Sequence, residues 1–146
     1  MLTLVTSKVD ASPVKELLES AVFSDPEALE QAIKLYSSNG EYELYAYVDE
    51  DEYVGLIGGR MNSDHQLEII HLAVRPEDRM KGYGRGLIVE MILQKQPTSV
   101  FTVTDEEGAE FFRNVGFQVM GFESNEGGLE QFRCFYEVDD EEEAEE

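Results

Sequence analysis

The chain has 146 residues, 42% of them hydrophobic, and a formal net charge of -21. That length suits one domain with enough apolar material for a core, and the charge excludes docking on nucleic-acid phosphates. Cys134 is the sole cysteine, so no internal disulfide and no multi-thiolate metal site can form. No apolar run approaches the roughly 20 residues of a bilayer-spanning helix. Met1–Asp10 sets Lys8 after a short apolar stretch, the reverse of the order in a secretory signal. These features imply a cytoplasmic protein with no metal, no nucleic-acid partner and no membrane partner.

Leu2–Thr6 reads as a first strand. Ser12-Pro13 then opens a helix, with a hydroxyl cap and proline at the first helical position, and Val14, Leu17, Leu18, Ala21 and Val22 form its apolar stripe. Asp25-Pro26 repeats the signal for a second helix with Leu29, Ala32, Ile33 and Tyr36 on its buried face, closed at Asn39-Gly40. The period then drops to two. Tyr42, Leu44, Ala46 and Val48 alternate with Glu43, Tyr45 and Tyr47, the turn Asp49–Glu52 leads into a strand over Tyr53–Met61, and Asn62-Ser63-Asp64 turns the chain again.

Leu67–Val74, apolar on both faces, is predicted to be a central strand. A glycine-rich segment, Lys81–Gly86, precedes a helix carrying Leu87, Ile88, Met91 and Ile92, which Pro97 closes. Ser99–Thr104 reads as a strand, Glu106–Asn114 as a short helix, and Phe117–Phe122 as a strand. A turn at Asn125–Gly128 leads to the last strand, Leu129–Val138. The predicted architecture is mixed α/β: a sheet of six or seven strands, about four helices, and one domain over residues 1–138. Residues 139–146 hold seven carboxylates and read as a solvated acidic tail; without it the body still carries -14.

Against that background, Arg75, Arg79, Lys81 and Arg85 fall in one eleven-residue window that is locally +2. Glycines let main-chain N–H groups approach a ligand, and the following helix adds its own unpaired amides and the positive end of its dipole. Strand, basic glycine loop and helix together describe a pyrophosphate receptor. Two other phosphate loops do not fit: there is no Gly-Lys followed by Ser or Thr, and Leu87 occupies the sixth position of the dinucleotide fingerprint begun at Gly82.

Arg79-Met80-Lys81-Gly82-Tyr83-Gly84 resembles the acetyl-CoA loop of the GNAT acetyltransferase superfamily: Arg or Gln, two residues, Gly, one residue, Gly or Ala. Glu68–Val74 with Arg75-Pro76 is similar to the family's central strand, and Phe111–Phe117 to the corner that completes its second CoA contact. The resemblance implies the GNAT fold and acetyl-CoA as cosubstrate, held through Arg79, Met80, Lys81, Gly82, Tyr83, Gly84, Arg85 and Phe112. It also implies that the backbone of Leu72, Ala73 and Val74 pairs with pantetheine, with an N–H near Val74 facing the thioester oxygen. The acyl acceptor would be a primary amine of a small molecule or peptide, which the negative body favours as a cation; a homodimer is left open. Where the family often has Asn, Ala and Tyr, this chain has Asp105, Gly108 and Phe112, and the tyrosine is the usual proton donor to the departing thiolate. That departure supports an alternative, a CoA-binding regulatory module with weakened catalysis.

Neutralising an alkyl ammonium at pH 7 costs about 3.4 pKa units, or roughly 4.6 kcal/mol, whereas a thiol is only about 1.5 units away. A base is therefore needed more than an acid. Glu68, the carboxylate in an otherwise apolar strand, stands where some family members carry a catalytic glutamate and is the candidate general base. Tyr83 or Tyr136 remain candidate acids. His71, three residues on and so on the opposite face, is the competing base or else a core histidine; Cys134 reads as a packed thiol.

Overall fold

The computed structural model of the protein describes residues 2–38, 40–123 and 130–138. Asn39, the turn expected at Asn125–Gly128 and the acidic run 139–146 lie outside them. In chain order the elements are β1 (Leu2–Leu4), α1 (Val14–Ala21), α2 (Pro26–Ser38), β2 (Glu43–Asp49), β3 (Glu52–Met61), β4 (Gln66–Val74), α3 (Tyr83–Lys95), β5 (Ser99–Thr104), α4 (Glu106–Asn114), β6 (Gln118–Glu123) and β7 (Glu130–Glu137). Short 3-10 turns cover Thr6–Lys8 and Pro76–Asp78. The strands hydrogen-bond in the order β1-β2-β3-β4-β5-β7-β6; β4 and β5 run parallel, while β1–β2, β2–β3, β5–β7 and β6–β7 run antiparallel. The fold is the mixed α/β sheet with four helices that the periodicity predicts.

By internal contacts the chain forms two compact units, the first made of residues up to Met61 with Ile69–Gln96, the second of Asn62–Glu68 with the residues from Pro97 onward. In the first, α1 and α2 exist because their apolar residues recur at helical spacing: Val14, Leu17 and Leu18 of α1 and Ala32 and Tyr36 of α2 are buried with Leu44, Ala46, Leu56 and Ala73 of the strands. Each fully buried Leu of such a cluster contributes roughly 1.5–3 kcal/mol. Tyr45 and Ile57, of opposite strand parity, are buried too, and α3 buries Leu87, Ile88 and Met91. Leu87 lies where a Cβ on Gly55 would come within 3.1 Å of it and 2.7 Å of the Ala73 carbonyl oxygen, so only glycine lets β3 pass there. At the far end of α3, Lys95 pairs with Glu43 and lies over the Tyr45 ring at 5.4 Å.

In the second unit, Gln66–Glu68 at the start of β4 pair with Ser99–Phe101 of β5, and β5 continues antiparallel to β7 and β7 to β6. Val100 and Cys134 are completely buried, so the thiol is a packing group. From α4, Ala109 and Phe112 face inward. Phe112 meets Phe111 and Phe117 edge-on at 5.1 and 5.0 Å, and Phe117 in turn packs on Tyr136 at 5.4 Å.

Two local expectations are corrected. Pro13 is the N-cap of α1 rather than its first residue, and the Ser12 hydroxyl donates to the Glu16 carboxylate at 2.8 Å instead of capping an amide. The glycine segment also does not precede α3 whole: the helix begins at Tyr83, so Gly84 and Gly86 are its second and fourth residues. Each glycine costs about 1 kcal/mol in a helix, a loss that the packing of Leu87, Ile88 and Met91 in the next turns offsets. The second helix behaves as read, with Asp25 Oδ1 accepting from the Glu27 and Ala28 amides at 3.0 and 3.5 Å.

Gly58 tests the packing on the α2 face. A Cβ there would lie 2.0 Å from the Tyr36 hydroxyl and 2.8 Å from Leu44 Cδ1, both deep in the core. Gly58→Ala is expected to lower unfolding free energy by about 1–3 kcal/mol, read as a reduced denaturant midpoint at unchanged slope. An unshifted midpoint would mean that Tyr36 does not occupy this space.

Candidate functional site

The loop after β4 owes its shape to Asp78. Its carboxylate, in a residue only 8% exposed, accepts from Arg75 Nε and lies 3.3 Å from Lys81 Nζ, while its amide donates to the Arg75 carbonyl at 3.0 Å. Arg75 is held further by Glu52 at 2.8 Å. The Arg75 hydrogen bond keeps the Asp78 carboxyl below its ordinary range, against the opposing effect of desolvation, and the same bond raises the guanidinium. Two of the four cations seen in the sequence are thus engaged inside the loop. Arg79 is also engaged, with Nε donating to the Val74 carbonyl at 2.8 Å and Nη2 to Ser20 Oγ at 3.1 Å. Arg85 is exposed and has no acidic partner among the described residues. The 3,3 spacing of Arg75, Asp78 and Lys81 was the available signal for the internal network; reading them as a local +2 missed it.

Next comes the turn into the helix. Met80 has φ 67° and a fully exposed side chain; Gly82, the N-cap of α3, has φ 87°. At such a φ glycine avoids the strain any L side chain would meet, and the space beside its Cα is open, with nothing within 4 Å of where a Cβ would stand. The first bond from this turn into the helix runs from the Gly86 amide to the Gly82 carbonyl at 3.0 Å. The amides of Tyr83, Gly84 and Arg85 precede it and have no carbonyl inside the helix to bond. They point out of a 13-residue helix at its positive end, which suits an anion.

Strand β4 supplies the other half of this unit's site. The Arg75 amide donates to the Val54 carbonyl of β3 at 2.9 Å, so by strand alternation Val74 and Leu72 turn their N–H and C=O toward the other edge. The Arg79 bond to the Val74 carbonyl agrees with that orientation. Leu72, Ala73 and Val74 lie beyond the three paired positions of the β4–β5 ladder. Tyr83, a candidate acid, packs its ring on Tyr47 at 5.5 Å.

Glu68 is half-buried in β4 opposite Phe101. Phe112 is buried among aromatic rings, and Tyr136 packs on Phe117. The departures at Asp105 and Gly108 have a local reason: Asp105 caps α4 by accepting from the Gly108 amide at 2.9 Å, and a Cβ at 108 would strike the Thr104 hydroxyl at 2.0 Å. His71, left open between base and core residue, has Nδ1 2.7 Å from the Tyr36 hydroxyl. Burial pushes its imidazole down to about 4, far from a base working at neutral pH. Thirty-five positions separate the two residues, and nothing local in the sequence announces the pair.

Residues 9–134 match the acetyltransferase (GNAT) domain family, and the chain belongs to it. It is 30% identical over 64 residues to an uncharacterised N-acetyltransferase of Bacillus methanolicus, an alignment covering 44% of this chain and 53% of that one, so it matches about half that relative's length. A GNAT-family protein from Desulfovibrio desulfuricans superposes with a TM-score of 0.81 at 19% identity, covering 95% of this chain and 99% of the other. An aminoglycoside 6'-N-acetyltransferase solved with coenzyme A gives 0.70 at 16% identity, over 94% and 96% of the chains. These likenesses show the fold. Among the described residues no helix is long and apolar enough to cross a membrane.

The His71 geometry has a consequence for stability. In the unfolded chain the imidazole titrates near 6.5, in the folded one near 4. Below 6.5 the unfolded state therefore takes up a proton that the native state refuses. The contribution is complete above about 6.5 and is lost as pH falls toward 4, a change on the order of 3 kcal/mol. Unfolding free energies of wild type and His71→Leu at pH 7 and pH 4.5 are expected to converge, or cross, by a few kcal/mol at the lower pH. A pH-independent difference would contradict the burial of a neutral ring.

Proposed function

We propose that this protein is an N-acetyltransferase that moves the acetyl group of acetyl-CoA directly to a primary amine of a small molecule or peptide. The observation that carries the reading is the left-handed Gly82 turn, which aims the unpaired amides of Tyr83, Gly84 and Arg85 outward just after Leu72–Val74, the stretch of β4 beyond its three paired positions with β5. Those amides suit the diphosphate, with Arg79 and Arg85 as nearby cations and Met80 and Lys81 as further contacts; Phe112 is assigned to the cosubstrate by the family resemblance alone. The edge groups of Leu72 and Val74 suit the pantetheine amides, as a neighbouring strand would. Bound acetyl-CoA supplies an activated acyl group; the residues of the chain do the rest.

In this reading Glu68, six residues before Val74 on the same strand, takes the proton from the acceptor ammonium, directly or through water. The freed nitrogen lone pair attacks the thioester carbon. The Val74 N–H faces the oxygen on which charge develops, where one well-placed donor is worth about 3 kcal/mol. The carbon–sulfur bond then breaks, the thiolate takes a proton from Tyr83, Tyr136 or water, and the new amide nitrogen gives up its extra proton to that same donor. Phe112 has no proton to give, the observation that keeps a CoA-binding module with weakened catalysis as a second reading.

Release of free thiol from acetyl-CoA across a panel of amines tests the assignment. With an accepted amine, Glu68→Gln is expected to lower kcat by at least tenfold while the dissociation constant for acetyl-CoA stays within about twofold. Unchanged turnover in the variant would remove Glu68 from the mechanism. Acetyl-CoA binding without thiol release for any amine would favour the module.

A further inference from the structure

Strand pairing in the second unit lines up one face of its sheet. Glu68 of β4 stands opposite Phe101 of β5, and Phe101 opposite Phe135 of β7; in the next row Arg133 of β7 has Val103 of β5 on one side and Met120 of β6 on the other. Partners across a sheet project to the same side, so these residues share a face. α4, the helix of this unit, packs on the other side, where Phe112 meets Phe117 and where Val100 and Cys134 are completely buried. The Glu68 face is open: Val103 is 48% and Met120 70% exposed, and Phe101 and Phe135 are half-buried.

Arg133 is the unusual member of this face. Its Cζ lies over the Phe101 ring, 5.2 Å from the centroid, and it pairs with no carboxylate among the described residues. With 32 acidic residues to 11 Lys and Arg, carboxylates are abundant in this chain, yet this arginine is held by a ring. A ring attracts the flat face of a guanidinium and makes no use of its N–H groups, which stay available at the edge as a fork that matches a carboxylate. The contact also restricts the rotamers of a long side chain, so less freedom is lost when that carboxylate arrives. Glu68 stands one strand spacing from Phe101 on one side and the guanidinium comes over the ring from the other, which sets the two charges on the order of 10 Å apart.

We infer that Arg133 binds a carboxylate of the acyl acceptor, and that Phe101 is the positioning residue that holds Arg133 for it. The inference rests on the transferase reading above and deepens it by naming the substrate class. Glu68, the base in that reading, fixes where the acceptor's ammonium stands, and Phe101 and Arg133 are the next groups on the same face. Two charge-assisted contacts of roughly 3 Å each take up part of the span between Glu68 and Arg133, which leaves a few bonds between the acceptor's nitrogen and its carboxylate. The acceptor class is thus an amino acid, α or ω, whose carbon chain lies beside the Phe101 ring. A polyamine would instead set a second cation against the guanidinium. The net charge of the chain favours a cationic acceptor, but a fixed cation at contact distance outweighs a diffuse field that salt screens.

Thiol release from acetyl-CoA is compared for pairs that differ by one carboxylate: propylamine against 4-aminobutanoate, pentylamine against 6-aminohexanoate, and phenylethylamine against phenylalanine. Wild type is expected to favour the carboxylate member of at least one pair by about thirtyfold in kcat/KM, the worth of a charge-assisted hydrogen bond. Arg133→Gln should abolish that preference and Arg133→Lys should keep part of it. Phe101→Leu, which removes the ring, should reduce it at least threefold through the acceptor KM. The dissociation constant for acetyl-CoA should stay within about twofold in all three variants, which shows that each is folded. Equal use of both members by wild type, or a preference that survives Arg133→Gln, overturns the inference and leaves the transferase reading intact. Calorimetric binding of the three carboxylates to protein saturated with coenzyme A reads Arg133 without turnover. Binding that Arg133→Gln removes, with no thiol release from any amine, sinks the transferase reading and keeps the carboxylate site. Neither binding of nor release with any of the three carboxylates overturns the inference.

Discussion

The first amides of α3 have nowhere inside the helix to bond, and Gly82, at φ 87°, turns them outward at the point where the chain leaves β4. The rest of the first unit holds that arrangement in place. α3 is anchored by Leu87, Ile88 and Met91, β3 passes close to it because residue 55 is glycine, and the intervening loop is tied by Asp78 to Arg75 and Lys81. Main-chain groups proposed as a receptor are only as well aimed as the elements that carry them. Here the aim comes from a packed helix, a buried strand and a carboxylate at the centre of the turn.

The charges follow the same division of labour. In a chain of net charge -21, a cationic loop would be expected to attract polyanions by its field. Instead Arg75 and Lys81 are engaged with Asp78, and Arg79 with the Val74 carbonyl and Ser20, which leaves oriented amides and Arg85 as the positive features of the loop without a partner among the described residues. A cation held in a network also costs less to keep in one geometry when a ligand arrives, because its rotamer freedom is already restricted. The acidic body and a loop that offers amides more than side chains are compatible with a doubly charged diphosphate being bound at close range rather than drawn from afar.

What the sequence reveals and what it hides divides by range. The apolar β4 and the stripes of α1 and α2 are local patterns, and each of these elements appears where its period places it. The start of α3 at Tyr83 is less legible, because glycine's intrinsic cost argues against a helix that tertiary packing nonetheless extends. The Ser12 cap is misread for a related reason: a hydroxyl can satisfy a carboxylate one turn on as easily as an amide. Asp105 and Gly108, departures when seen as single letters, become a cap and the space for Thr104 once α4 is built. The Tyr36–His71 bond and its dependence on Gly58 join three elements far apart in sequence, and no local period carries that information.

The central claim is that main-chain N–H groups at the start of α3 receive the diphosphate. Backbone amide chemical shifts recorded while coenzyme A is added test it most directly. The account predicts that the amides of Tyr83, Gly84 and Arg85 move most and saturate together, with Val74 following when acetyl-CoA replaces coenzyme A. Saturable binding that leaves those three amides unmoved would contradict it.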